Sequence, residues 1–172
     1  MRHTISILVE NEFGVLARVA GLFSGRGFNI ESLSVAETME PTVSRITLVT
    51  RGDDQVLGQV EKQLNKLINV IKVIDFTDTP HVERELVLIK VAVDERTRGE
   101  VANIIDIFRG KIIDVSARTY VVEVTGAEDK IEALIALLKP IGILELVRTG
   151  RVAMFRGPRL LTIDEKNEDH AA

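Results

Sequence analysis

The sequence of 172 residues contains no cysteine and no tryptophan, and it has a single tyrosine. Without cysteine the chain can form no disulfide, thiol nucleophile or thiolate metal ligand, a usage compatible with a reducing cytosol, and we predict a cytoplasmic protein. Aromatic residues make up only 4% of the chain and the formal net charge is −4. The stacking surfaces and basic field typical of nucleic-acid binding are therefore missing, and we expect no nucleic-acid partner.

Long apolar runs are missing as well. The longest, Ile131–Leu138, is interrupted by Glu132 and falls far short of the roughly 20 residues that a membrane-spanning helix needs. The apolar stretch near the N-terminus is too short for a signal peptide. By contrast, 45% of the residues are hydrophobic, which is enough to build a buried core. We predict a soluble, folded protein with no membrane partner.

Catalytic and metal-binding patterns are also absent from the sequence. The three histidines lie far apart, without the short spacings of a metal site, and we predict that they lie on the surface. Acid pairs occur where helices are expected to begin, so they are interpreted as helix caps. Four arginines near the C-terminus predict a solvated basic surface, with a contact to an acidic partner as the alternative. The histidines are His3, His81 and His170. The acid pairs are Asp53–Asp54 and Asp94–Glu95, and the arginines are Arg148, Arg151, Arg156 and Arg159.

Hydrophobic periodicity predicts the same order of elements twice. In the first half, alternating apolar residues predict strands and an i, i+3, i+4 pattern predicts two helices, in the order βαββαβ. The predicted strands are 5–9, 30–36, 43–51 and 70–76, with helices over 15–23 and after Asp53. After Pro80 the order recurs, with strands near 86–93, 111–117, 120–125 and 141–147 and helices carrying Val101 to Phe108 and Ile131 to Leu138.

Two βαββαβ repeats predict an α+β protein of two tandem ferredoxin-like domains. We place the first domain at residues 1–78, a linker at 79–83, the second domain at 84–162 and an acidic tail at 163–172. Each sheet has helices on one face only, which leaves its other face and its edges to be covered. Association of two copies of the chain is a common solution, and we expect a dimer.

A polar loop between the first strand and the first helix is the candidate binding site. The chain passes from Glu10 through Gly14 directly into the helix, whose free N–H groups favour a ligand carboxylate. Asn11 and Asn29, at the two ends of this helix, offer amide donors and acceptors suited to an amino-acid zwitterion. The alternatives stay open: Gly14 as a flexible helix start, and both asparagines as ordinary turn or cap residues.

These segments also carry a family resemblance. Residues 10–19 and 22–35 resemble an ACT domain, and residues 26–33, 108–115 and 148–153 resemble the regulatory small subunit of acetolactate synthase, also called acetohydroxyacid synthase. The resemblance implies a subunit with no active site of its own that activates a catalytic large subunit. It further implies that the large subunit holds thiamine diphosphate, FAD and magnesium, and that valine or another branched-chain amino acid inhibits the enzyme by feedback.

The resemblance also implies which residues bind the effector, at an interface between two ACT domains of a homodimer. The side chains of Asn11 and Asn29 would hold its polar groups, and the remaining residues would offer backbone contacts and an apolar wall: Gly14, Val15, Leu16 and Ile30. The second domain has Lys111 and Ile112 where Asn29 would fall, so we predict no pocket there.

Two alternative functions remain open at the level of sequence. One is a stand-alone ACT-type amino-acid sensor that regulates some other enzyme, which the first domain by itself does not distinguish. The other, less favoured, is a small enzyme of the acylphosphatase kind on the same scaffold. Such an enzyme needs an arginine-bearing phosphate loop after its first strand, whereas the loop here carries Glu12.

Overall fold

The computed structural model describes residues 2–163, which form two compact units. The first unit consists of residues up to Val82 together with residues 150 onward, and the second consists of Glu83–Thr149. Each contains one antiparallel four-stranded path covered by two helices. The α+β class with two ferredoxin-like βαββαβ units is therefore confirmed.

The first unit is built around strand β1, Arg2–Glu10, which pairs antiparallel with two neighbours in the strand order β2-β3-β1-β4. Its alternating residues Ile5, Ile7 and Val9 are buried against both helices. Strand β2 lies at an edge of this sheet. The remaining elements are α1 Val15–Ser24, β2 Ile30–Glu37, β3 Val43–Arg51, α2 Asp54–Leu64 and β4 Val70–Asp75.

The second unit repeats this arrangement with the strand order β6-β7-β5-β8. Its core contains alternate residues of its central strand, Val87, Ile89 and Val91, packed beneath both helices. The elements are β5 His81–Ala92, α3 Arg98–Ile107, β6 Lys111–Val115, β7 Thr119–Gly126, α4 Glu128–Leu138 and β8 Ile143–Arg148.

A ninth strand, β9 Val152–Phe155, was missed from sequence because four residues are too few to show a period. It pairs with β5, whose first residues belong to the first unit. In that unit Ala153 and Phe155 pack with Phe76 in a small buried cluster. The backbone O of Ala153 also accepts a hydrogen bond from Arg45 Nη2 at 2.6 Å, and burial lowers the pKa of this guanidinium.

The boundaries of the units differ from the predicted domains in two places. Strand β5 begins at His81, so most of the predicted linker 79–83 is strand, because only Pro80 interrupts the pairing pattern. Residues 150–162, predicted to belong to the second domain, group with the first unit through the contacts of β9. Of the predicted acidic tail, residues 164–172 lie outside the described residues.

Candidate functional site

The start of α1 has no side chain that caps its first backbone N–H groups. Gly14 has a φ of +82°, a left-handed conformation that favours glycine, and the first turn contains neither a capping side chain nor an acid. The N–H of Val15 makes one long bond, 3.4 Å, to Glu12 O. A Cβ built on Gly14 meets no heavy atom within 4 Å. The space beside Gly14, next to the positive end of this helix dipole, is thus open.

The other helices of residues 2–163 carry their own anion at this position. The Asp53 carboxylate caps α2, and α4 has Glu128 and Asp129 in its first turn. Before α3, Asp94 Oδ1 accepts the N–H of Thr97 at 2.9 Å, and backbone hydrogen bonds of this kind hold the pKa of Asp94 below its usual range. The helix that follows the first strand therefore has no acid in its first turn in the first unit, whereas in the second unit Glu100 lies in its first turn and Asp94 lies in the turn before it.

The exposed Asn11 side chain lies on the loop just before this helix start. Its Nδ2 donates to Glu37 Oε1 at 3.1 Å and to the backbone O of Pro41 at 3.0 Å. Because a primary amide has two hydrogens, both donors are in use. Among the described residues no partner is recorded for Asn11 Oδ1, so this side chain offers a ligand an acceptor and no donor.

Asn29 and Ile30 lie where the chain leaves α1 and enters β2. Gly27, with a φ of +75°, turns the chain, and the backbone O of Asn29 accepts from Thr50 Oγ1 at 2.8 Å. The Asn29 side chain is exposed, whereas the half-buried Ile30 packs against the core. The amide of Asn29 is thereby presented to solvent at a fixed position.

The six predicted site residues form two groups rather than one. Asn11, Gly14, Val15 and Leu16 surround the start of α1, and Asn11 is bonded to Glu37 at the end of β2. Asn29 and Ile30 lie at the beginning of the same strand, whose eight residues span about 23 Å. A single copy of the chain therefore does not bring the two groups together.

Among the apolar members, Val15 and Leu16 differ in what they can offer. Val15 is 3% exposed and belongs to the core, so its side chain is not available as an apolar wall for a ligand. Leu16 is 41% exposed, and the adjacent Phe13 is fully exposed, as is Met39 in the hairpin turn that Asn11 contacts. Three apolar side chains thus stand uncovered around the loop.

Asn69, in the turn before β4, is a polar residue of this region that sequence reasoning missed. It is 7% exposed. Its Nδ2 donates to Glu10 Oε2 at 2.6 Å and to Glu12 Oε2 at 3.2 Å, and its Oδ1 accepts from Arg18 Nη1 at 2.8 Å. A single asparagine in a turn carries no sequence signal of this role, because its partners lie more than fifty positions away.

Two expectations about surface residues, one for the histidines and one for the C-terminal arginines, are corrected. His3 is 4% exposed, not on the surface, and its Nδ1 lies 2.7 Å from Asp75 Oδ2; His81 is half-buried, and His170 lies outside the described residues. The predicted solvated surface holds for Arg156 and Arg159, which are exposed, but Arg151 is buried. Both errors arise because strand alternation and the fold of the C-terminal segment turn these side chains inward.

Within residues 2–163, no group of three acidic, histidine or cysteine side chains is arranged to hold a metal ion. In the same part of the chain, no helix has the combined length and hydropathy that a transmembrane span requires.

Comparison with known proteins finds a matching protein family for each half of the chain. A family model described as an AHAS small subunit-like ACT domain matches residues 5–72, and one described as the small subunit of acetolactate synthase matches residues 84–157. The acetolactate synthase small subunit of Aquifex aeolicus is 56% identical over 97% of this chain and 86% of its own length. A probable acetolactate synthase small subunit of Archaeoglobus fulgidus is 57% identical over 91% of this chain and 98% of its own.

The solved structures agree with this assignment. The crystal structure of the acetolactate synthase small subunit from Thermotoga maritima is 46% identical in sequence, with a TM-score of 0.83. The match covers 91% of this chain and 98% of that one. Because the identity is high and the matches span nearly the whole sequence, the resemblance found in the motifs is confirmed, and the chain belongs to the family of acetolactate synthase small subunits.

Proposed function

We propose that this chain confers feedback inhibition on acetolactate synthase by binding valine, or another branched-chain amino acid, at the start of α1. One observation carries the proposal: α1 begins with no capping side chain and no acid in its first turn, beside an asparagine whose free amide atom is an acceptor. A zwitterion complements this pair, because its carboxylate meets the N–H groups of the helix and its ammonium meets Asn11 Oδ1. The nearby carboxylates of Glu12 and Glu37 add attraction for the ammonium group.

We propose a homodimer that completes this site. Strand β2 is a sheet edge with unpaired backbone groups, and a second copy can pair with it. In an antiparallel pair about a two-fold axis, the beginning of one β2 lies beside the end of the other. Asn29 and Ile30 of one copy then face the Asn11 loop of its partner. This arrangement joins the two groups of site residues that one chain keeps about 23 Å apart.

The catalytic partner in this proposal is the large subunit of acetolactate synthase in the cytoplasm. Thiamine diphosphate, magnesium and FAD belong to that subunit, which does the chemistry, and the present chain contributes no active site. Effector binding inhibits only by favouring one arrangement of the dimer over another, with a coupling free energy of about 1–3 kcal/mol. Strand β2, which begins at Ile30 and lies at the proposed interface, is the element placed to transmit that preference.

Calorimetric titration with valine tests the site. In Gly14→Asp the new carboxylate occupies the open space before α1 and repels the ligand carboxylate, so we expect no measurable heat at millimolar valine. Gly157→Asp is the matched control, because Gly157 also has a positive φ, +72°, and a Cβ there also meets nothing within 4 Å. We expect it to bind as the wild type does. Undiminished binding by Gly14→Asp, or equal loss in both variants, would contradict the assignment.

Reconstitution with the large subunit tests the regulatory role. We expect the mixture to be more active than the large subunit alone, and valine to reduce that activity in the wild type and not in Gly14→Asp. A chain that binds valine without altering acetolactate synthase would instead be a sensor for another enzyme.

A further inference from the structure

Two carboxylates of the proposed effector loop converge on a single buried amide nitrogen. Glu10 and Glu12 flank Asn11, and both reach Asn69 Nδ2, at 2.6 and 3.2 Å. The two hydrogens of this amide are thus both committed. Among the described residues, no other hydrogen bond or ion pair is recorded for either carboxylate. Without Asn69, the two like charges would face each other across a partly buried space.

The same residue also ties the loop to its surroundings. Asn69 Oδ1 accepts from Arg18 Nη1 of α1 at 2.8 Å, and its backbone O accepts the N–H of Glu10 at 2.9 Å. The loop, the helix and the turn before β4 are therefore joined through one side chain and its own backbone. Because Asn69 is itself buried and its side-chain donors and acceptor are bonded, this part-buried network favours one arrangement of its members.

We infer that Asn69 is the positioning residue of the effector site: it holds the loop so that Asn11 Oδ1 and the start of α1 face the same ligand. This inference rests on the proposed function. Asn69 does not itself meet the ligand, because its polar atoms are occupied within the network. Its role requires an amide, since an aspartate keeps the acceptor for Arg18 but loses both donors and adds a third carboxylate.

Asn69→Asp is the direct test, because it changes charge and donors without changing shape. We expect valine affinity to fall about tenfold or more, as when a buried hydrogen-bond partner is removed. Adding Glu10→Gln supplies an amide that donates to the carboxylate introduced at position 69. In this double variant we expect affinity to recover part of the loss, to at least about threefold above that of Asn69→Asp, since Glu12 still lacks a donor. Such a rescue distinguishes positioning of the loop from general loss of stability.

Asn65→Asp provides the matched control. Asn65 lies at the exposed end of α2 in the same unit, so the same chemical change is made outside the network, and we expect unchanged affinity. If Asn69→Asp does not fold, Asn69→Ala removes the donors without adding charge and is compared in its place. If the Asn69 variant that folds binds valine as tightly as the wild type does, the inference is overturned.

Hydrogen exchange separates this inference from the proposed function. If the wild type releases no heat with valine, the proposed function fails. The inference is then judged without any ligand, from the exchange of the Asn11 N–H, which is bonded to Thr42 O at 2.7 Å, and of the Val15 N–H. We expect both to exchange faster in the Asn69 variant than in the wild type or Asn65→Asp. Unchanged exchange at both amides overturns the inference.

Discussion

At the residue scale, Arg148 shows how a partner far away in the sequence determines the role of a side chain. Its guanidinium makes two hydrogen bonds to Glu85, Nε to Oε1 at 2.8 Å and Nη2 to Oε2 at 2.7 Å, and a third to Glu132. These bonds, above all those to Glu85, raise the pKa of Arg148. Sequence reasoning placed it in a solvated basic stretch, because Glu85 lies 63 positions away.

The two carboxylates around Arg148 differ in burial, which gives a residue-scale prediction. The Glu85 side chain is 4% exposed and that of Glu132 is 52% exposed. We expect Glu85→Ala to destabilise the second unit by about 2 kcal/mol, less than for a fully buried pair because Arg148 is partly solvated. Glu132→Ala should cost less than about 0.5 kcal/mol. Urea unfolding measures both, and equal losses would contradict the expectation.

At the scale of elements, the starts of corresponding helices distinguish the two units. Helices α1 and α3 occupy the same place in the repeat, and both were predictable from their apolar spacing. Their starts were predictable only in part: the glycine before α1 is visible in the sequence, whereas the turn before α3 depends on Asp94 and Thr97 bonding to each other. The second unit was predicted to have no pocket, but a cavity of about 480 Å³ lies there between α3 and the start of β6, and Lys111 and Ile112 line it. That prediction is corrected on this point, because the side chains around this turn leave a gap that no local pattern records.

The turn from α3 into β6 gives a prediction at this scale. A Cβ on Gly110 would lie 2.6 Å from Val124 Cγ2 and 3.1 Å from Glu123 O, whereas one on Gly99 meets nothing within 4 Å. We expect Gly110→Ala to destabilise the second unit by about 1–3 kcal/mol, since the core must move. Gly99→Ala, within α3, should be neutral or stabilise by up to about 1 kcal/mol. Thermal unfolding compares the two variants. A Gly110→Ala variant as stable as the wild type would contradict the close packing around Gly110.

At the scale of the whole molecule, the C-terminal segment belongs to the first unit although it follows the second in sequence. Phe155 meets Phe76 edge to face, with ring centroids 4.9 Å apart. The first unit is therefore completed only after the second has been synthesised. This organisation was not predictable, because β9 is short and its partners lie about eighty residues earlier.

Neighbouring residues of β9 test this organisation. Phe155 is 7% exposed and Met154 is 63% exposed, because adjacent strand residues point to opposite faces. We expect Phe155→Ala to destabilise by about 3 kcal/mol and Met154→Ala by less than about 0.5 kcal/mol. Hydrogen exchange should show that Phe155→Ala reduces the protection of the backbone amides of β1 and β3. If protection were reduced only in β5 and β7, the segment would stabilise the second unit instead.

The sequence by itself determined the two βαββαβ units and the family, because both follow from local patterns: apolar periodicity, glycines at turns, and the motifs around Asn11 and Asn29. The tertiary structure decided what depends on distant contacts. Only the fold shows that Asn11 and Asn29 lie at opposite ends of β2, that Asn69 holds the loop, and that β9 returns to the first unit. The reason is physical, since such pairings are selected by packing among residues far apart in the chain, where no local pattern records them.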